Sequence, residues 1–438
     1  MPTISDLQIY KAASLFRSAF SQVVGIQPKV RKPAFPCNSE SASNPSITCR
    51  PSSPSAIPLR ELVINLPRLF PRSMKESVRD YFAFRKDAGT LQHQLLSTLP
   101  FFPVAGDDKV AEVVQTPVDE QANYINEFCV RPAMPHPSGT LRHLIIVHGY
   151  GAGLGFFLKN LEKLNLIDNR WVIHAIDLPG YGFSSRPKFP YKYKSDPAAQ
   201  VEHWFHARFK TWLEKRGLLQ HPEQNMLVAH SMGAYLAALY ANKYPNHFKK
   251  LVMCSPAGIC NTPSNKQRRL PPWWFAKLWD RNISPFSLVR NSRLLGSKLT
   301  SGWSYRRFGQ LLSEGYRGAQ QFEAIHKYAY AIFNSPGSGE YLLSFALKCG
   351  GDPRDALERR LFHNKMNQFK AKCEWLWLYG DQDWMDVGGG RRVSHFLNTA
   401  MGKKSKVEVV HDSGHHLYFD NYEQFNRILE KEMKMWDQ

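Results

Sequence analysis

Three short stretches of this chain hold the side chains that acyl chemistry needs, and they follow one another in a telling order. The first is Ala229-His230-Ser231-Met232-Gly233-Ala234. A serine attacks a carbonyl only when its hydroxyl is presented at a fixed angle and paired with a base. A strained strand-to-helix turn presents it, and small residues must flank it because the backbone on either side passes very close. The usual form of such an elbow is G-x-S-x-G; Ala229 replaces the first glycine here and Gly233 keeps the second. The second stretch, Gly380-Asp381-Gln382-Asp383-Trp384-Met385-Asp386, offers carboxylates. The third, His411-Asp412-Ser413-Gly414-His415-His416, offers imidazoles. Serine, then acid, then histidine is the chain order of a triad in which the acid orients the base.

Within those stretches the roles can be assigned. His415 follows Gly414, which frees the loop to present the ring, so His415 is the expected base; His416 reads as a packed neighbour and His411 as a strand end. Asp383 lies where the loop after Gly380 first turns back, which makes it the expected acid, with Asp386 as the alternative. Asp381 reads as a loop-capping side chain. A tetrahedral intermediate also needs donors for its oxyanion. The backbone N–H of Met232 is one. Tyr150 or Gly151, in His148-Gly149-Tyr150-Gly151, supplies the other, and the spacing does not choose between them. The loop Asp177-Leu178-Pro179-Gly180-Tyr181-Gly182 reads as structural. No metal and no organic cofactor is implied.

These stretches need elements to bring them together. LRHLIIVHG, WVIHAIDLPG, NMLVAHSMG and KLVMCSPAG, between residues 141 and 260, are short apolar runs ending in turns and separated by helical stretches. CEWLWLYGD and KVEVVHDSG repeat the pattern near the end of the chain. Strands alternating with helices predict a mostly parallel central sheet with helices on both faces. The chain divides accordingly: a first core part over 59–260, an insertion over 261–365 without strand periodicity, and the remaining core over 366–438. An insertion of that size between two strands predicts a helical cap over the carboxyl edge of the sheet, where sites of such folds lie.

Composition narrows the partners. No run approaches the ~18 consecutive apolar residues of a membrane-spanning helix. The formal net charge of +20 favours a polyanionic partner. No zinc-finger spacing or aromatic RNA-binding box is visible, which leaves an anionic membrane surface rather than nucleic acid. No obligatory protein partner is evident. The insertion joins Trp273, Trp274, Phe275, Trp279, Trp303, Tyr305 and Phe308 with many lysines and arginines, the composition of a surface lying at lipid headgroups. The seven irregularly spaced cysteines predict reduced thiols. Residues 1–58 are basic, serine-rich and poor in acids, as a mitochondrial targeting segment is; a disordered basic tail is the alternative.

Taken together, HGYGAG, DLPGYGFS, AHSMGAYLAALYANKYP, YGDQDWMD and SGHHLYFDN resemble the α/β-hydrolases that carry an H-x4-D box after the last strand, here His415 and Asp420. That branch includes a lipid-droplet lipase co-activator, lysophospholipid acyltransferases and fungal mitochondrial cardiolipin-specific deacylases. YGDQDWMD together with the basic leading segment points to the deacylases. The resemblance implies the α/β-hydrolase fold and a triad of Ser231, Asp383 and His415. It also implies removal of one acyl chain from cardiolipin at the matrix side of the mitochondrial inner membrane. The branch associates the H-x4-D pair with acyl transfer to lysophospholipids, while a helix N-cap is the other reading of Asp420.

Overall fold

The computed structural model describes residues 69–137, 140–261, 273–362 and 369–437. The basic leading segment over 1–58 lies outside the described residues.

Six apolar runs become strands where expected: β3 (Arg142–Val147), β4 (Trp171–Ile176), β5 (Asn225–His230), β6 (Lys250–Cys254), β7 (Glu374–Gly380) and β8 (Ser405–Val410). Two more precede them, β1 (Lys109–Pro117) and β2 (Tyr124–Pro132). They form one eight-stranded sheet in the order β1-β2-β4-β3-β5-β6-β7-β8. β1 and β2 pair antiparallel, as do β2 and β4; every other pair is parallel. β4 and β5 are buried at every position, so their sequences are near-continuous apolar runs rather than alternations. The strand order turns around at β3, between β4 on one side and β5 on the other. The crevice beyond the carboxyl ends at such a reversal is where ligands bind in this class of sheet.

Helices flank the sheet. α1 (Met74–Lys86), α2 (Ala88–Leu96) and α3 (Leu158–Lys163) come early, then α4 (Ala198–Lys215) and α5 (Met232–Lys243). The insertion between β6 and β7 folds as α6 (Trp273–Asp280), α7 (Phe286–Asn291), α8 (Gly296–Phe308), α9 (Gly315–Asn334) and α10 (Leu342–Ala346). α11 (Val387–Thr399), α12 (Leu417–Asp420) and α13 (Tyr422–Lys434) complete the chain.

Two expectations about the cap need correcting. Trp279, Trp303 and Phe308 are buried rather than at a lipid surface. Trp303 and Phe308 close on Phe156 of the core with ring centroids 5.4 and 5.0 Å apart, and Trp279 donates Nε1–H to the Leu347 carbonyl at 3.1 Å. A cap must bury a core of its own, and large aromatics cover the most area per residue for that. The other difference concerns α1, which lies in the stretch assigned to the first core part. α1 packs on α8 and α9 and not on the sheet: Asp80 takes two hydrogen bonds from Arg72, whose other side pairs with Glu323. The cap is therefore built from two separated parts of the chain.

Candidate active site

Ser231 sits at the tip of β5 with φ 52° and ψ −114°, a left-handed backbone that a side-chain-bearing residue rarely adopts. The turn is held on both sides: the Ser231 N–H donates to the Cys254 carbonyl, and its carbonyl accepts from Tyr235 and Ala257. Gly233 shows why the second small residue is required. A Cβ there would lie 2.3 Å from the His148 carbonyl oxygen, so only glycine lets α5 start this close to β3. Ala229 is fully buried between β3 and β6, where it pairs with Val147 and Met253 and its methyl group is tolerated.

Ser231, His415 and Asp383 meet above the carboxyl ends of three strands. The Ser231 hydroxyl lies 2.9 Å from His415 Nε2, and His415 Nδ1 lies 3.2 Å from Asp383 Oδ1. The ring thus stands between hydroxyl and carboxylate, one on each nitrogen. With Nδ1–H donated to Asp383, Nε2 is left as an acceptor for the serine proton. The Asp383 side chain is buried, and its Oδ1 also accepts from the Met385 N–H at 3.0 Å.

The approach of these loops depends on Gly380 and Asp381. A Cβ on Gly380 would come within 2.4 Å of the carbonyls of both Ser413 and Gly414. Asp381 spans the gap, accepting from the N–H groups of Asp412 at 3.0 Å and Ser413 at 3.1 Å. It caps the loop, as its position after Gly380 suggests. Asp386 is not brought to His415: its carboxylate accepts from Gly388 and caps the start of α11. His411 is exposed just beyond β8, and His416 is buried with Nδ1 3.0 Å from the Tyr418 hydroxyl.

The β3 loop supplies amides. His148 Nδ1 lies 2.7 Å from the Gly149 carbonyl oxygen, while Nε2 accepts from the Leu178 N–H at 3.0 Å, so Nδ1 carries the proton. That bond fixes the 149–150 peptide plane. In a trans peptide the N–H points opposite to the carbonyl, so the Tyr150 N–H points away from His148. Gly149 itself lies against the nucleophile, since a Cβ on it would be 2.9 Å from Ser231 Cβ. The Met232 N–H opens α5, where the first amides of a helix have no intrahelical acceptor. Gly151, at φ 62°, is packed under Phe286 of the cap.

Asp177 is structural, as expected of its loop. Its carboxylate accepts from Leu154, Phe183 and Asn126, and Gly182 packs directly on it. Asp420, the end of the H-x4-D box, does not reach the serine. Its Oδ2 accepts from the Gly414 N–H at 3.0 Å, and its Oδ1 pairs with Arg307 of α8. The N-cap of the last helix is Asn421, whose side chain accepts from the Gln424 N–H.

Two further residues touch this arrangement without a sequence signal strong enough to single them out. His230 donates Nε2–H to the His415 carbonyl at 2.8 Å; burial holds its pKa well below the usual range and keeps it neutral. Arg307 reaches the base's loop through Asp420. The first could be suspected from adjacency to the serine. The second, one of many cap arginines, could not.

The comparisons agree with this architecture. Residues 142–422 match the α/β hydrolase fold family, and the chain belongs to it. A probable 1-acylglycerol-3-phosphate O-acyltransferase of Oryza sativa subsp. japonica is 29% identical over 65% of this chain and 66% of its own length. A 1-acylglycerol-3-phosphate O-acyltransferase of Arabidopsis thaliana is 30% identical over 64% of this chain and 63% of its own. A human (lyso)-N-acylphosphatidylethanolamine lipase is 27% identical over 66% of this chain and 78% of its own. The match thus spans just under two thirds of the two plant relatives.

Proposed function

We propose that this protein is a serine-dependent lipid hydrolase that removes one acyl chain from an anionic glycerophospholipid at a membrane surface, with cardiolipin as substrate and monolysocardiolipin and a fatty acid as products. The observation that carries the reading is the hydrogen-bonded line Ser231–His415–Asp383 at the carboxyl edge of the sheet. The names of the relatives, all lipid enzymes, support the substrate class. The net charge of +20 supports an anionic lipid, and the targeting-type composition of residues 1–58 supports the matrix face of the mitochondrial inner membrane.

The chemistry follows from the geometry. Ser231 Oγ attacks the ester carbonyl carbon while His415 Nε2 takes the hydroxyl proton, and Asp383 stabilises the imidazolium. The oxyanion is received by the N–H groups of Met232 and Tyr150; the fixed 149–150 peptide favours Tyr150 over Gly151 as the second donor. Collapse breaks the ester bond, and His415 returns the proton to the departing lysolipid oxygen. Water then attacks the acyl-serine, giving its proton to His415, and the fatty acid leaves as Ser231 is regenerated. No step calls on a metal or cofactor.

A second reading has its own support. Two relatives are named as acyltransferases, and the H-x4-D pair is present. In that reading a lysophospholipid hydroxyl replaces water as acceptor. Against it, the Asp420 carboxylate is engaged by Gly414 and Arg307 rather than by the triad.

Lipid mass spectrometry on purified protein with mixed phospholipid vesicles separates the two. The proposal expects fatty acid and monolysocardiolipin, and neither product with Ser231→Ala. Appearance of labelled acyl chain in phosphatidic acid without net fatty acid release would replace it with the transferase reading.

A further inference from the structure

The exposed apolar residues of the described chain are concentrated beside the cap. α1 turns Ser77, Asp80 and Phe84 inward to α8 and α9, which leaves Met74, Val78 and Phe82 as an i, i+4, i+8 row on its outer side. Met74 and Phe82 are 45% and 61% exposed. The Ser77 hydroxyl donates to the Leu294 carbonyl, which sets the turn after α7 next to this row. Along α7 and that turn, Leu288, Leu294 and Leu295 are each more than 40% exposed.

Charge accompanies them. On α1, Lys75, Arg79, Arg85 and Lys86 form no ion pair among the described residues. Arg281 and Arg293 add exposed cations, and residues 281–298 contain no aspartate or glutamate. Exposed apolar side chains flanked by unpaired cations are what lets a helix lie in the headgroup layer of an anionic bilayer. Soluble surfaces rarely keep such a row without a partner.

The same segment covers the candidate site. Phe286, on the inner side of α7, stacks on Phe333 at 4.6 Å, lies 5.5 Å from the Tyr150 ring and is packed on Gly151. Leu288 faces outward from the same short helix.

We propose that α1 and the segment 283–295 together form the face by which this protein seats on an anionic lipid bilayer, placing the cap over the oxyanion loop against the membrane. The inference rests on the lipid-hydrolase reading for its purpose but not for its test. It also moves the apolar membrane contact from Trp303 and Phe308, which are buried, to Met74, Phe82, Leu288, Leu294 and Leu295, which composition did not single out.

The test is flotation of the full chain with vesicles of cardiolipin in phosphatidylcholine, and with phosphatidylcholine alone. The wild-type protein is expected on the anionic vesicles only. Arg79→Glu with Lys86→Glu should lower bound protein at least about tenfold, given that each cation near an anionic leaflet contributes about fivefold to partitioning. Leu294→Ser with Leu295→Ser should separately lower it at least about tenfold by taking apolar area out of the bilayer contact. Hydrolysis of a soluble short-chain ester by these variants should stay at the wild-type rate, which shows that they fold. Ser231→Ala should bind vesicles as wild type does, so loss of catalysis and loss of docking are read separately. Unchanged flotation of both surface variants, which would put binding elsewhere in the chain, overturns the inference, as does equal binding to neutral vesicles. If the wild type binds and the variants do not, but no lipid is cleaved, the docking face stands and the hydrolase reading falls.

Discussion

Serine, histidine and aspartate come together twice among the described residues, and only one of the two clusters can make a nucleophile. Above the sheet, His415 stands between Ser231 on Nε2 and Asp383 on Nδ1. In the cap, His326 has a serine on each ring nitrogen: Ser297 lies 3.0 Å from Nε2 and Ser304 2.6 Å from Nδ1. Asp80 there accepts from Ser297 and is held by Arg72. Burial opposes its charge, but hydrogen bonds from Arg72 and Ser297 outweigh that and push its carboxyl far below the usual range. Because its charge is satisfied by Arg72, it polarises nothing. Ser297, Ser304 and His326 have no exposure at all, so no substrate can reach them. The difference teaches that residue types do not make a triad. What matters is which nitrogen each partner occupies, and whether one end of the line opens toward a cleft.

The sharpest way to break that comparison is to remove each serine in turn. Ser231→Ala should lower ester hydrolysis by about 10⁴-fold or more and abolish labelling by a fluorophosphonate probe. Ser297→Ala should leave the rate per folded molecule within about threefold of wild type while lowering stability by about 1–3 kcal/mol, because Asp80 and His326 lose a buried partner. Labelling at Ser297 in the intact protein would show the two clusters to be alike.

The acids should separate next. Asp383→Asn is expected to cost roughly 10⁴ in turnover by favouring the wrong tautomer of His415, with little change in melting temperature. Asp386→Asn should leave turnover unchanged, since asparagine still caps α11. A comparable rate loss from both would mean that the base is oriented by the loop as a whole.

In the cap the expected effect is on folding. Replacing Arg72 by methionine leaves Asp80 and Glu323 short of their cation and should destabilise by about 3–5 kcal/mol, read by chemical denaturation. Hydrolysis by the folded fraction is expected to persist. If activity disappears while the protein remains fully folded, the cap's ionic cluster is tied to the chemistry after all.

Buried histidines govern how stability depends on pH. Burial lowers His143 to about 3 and His206 to about 4, and it holds His230 well down. As pH falls below about 6.5 the unfolded chain gains protons at these sites and the native state does not, so stability drops by about 2 kcal/mol per histidine at roughly pH 5. His174 runs the other way. Burial opposes its charge, but hydrogen bonds to Cys129 and Glu127 raise it to about 9. Its contribution is whole below about pH 6.5 and is lost as pH rises toward 9. Melting temperature should therefore peak near neutrality, and a rise on going from neutral to acid pH would contradict the assignment.

Much of the sheet was legible beforehand because buried parallel strands are apolar runs with turns at their ends, and all six such runs became strands of one sheet. The cap was legible only as an insertion. Its aromatics and arginines read alike whether they face lipid or each other, and burial of Trp303 and Arg307 separates them from exposed Leu294 and Arg79 only once the helices are packed. β1 and β2 had no distinctive pattern either, since the alternation of β1 is broken and the buried middle of β2 carries Asn126 and Glu127.

Sequence by itself determined the fold family, the order in which serine, acid and histidine appear, and the small residues that the elbow and the loops demand. Those are local matters, fixed by strand periodicity and by the space that each turn leaves. Tertiary structure alone decided that Asp383 and not Asp386 faces His415, that Asp420 holds Gly414 and Arg307, and that α1 belongs to the cap. Each of those outcomes depends on which distant loop arrives alongside, and a hydrogen bond has an energy only once both of its ends are in place.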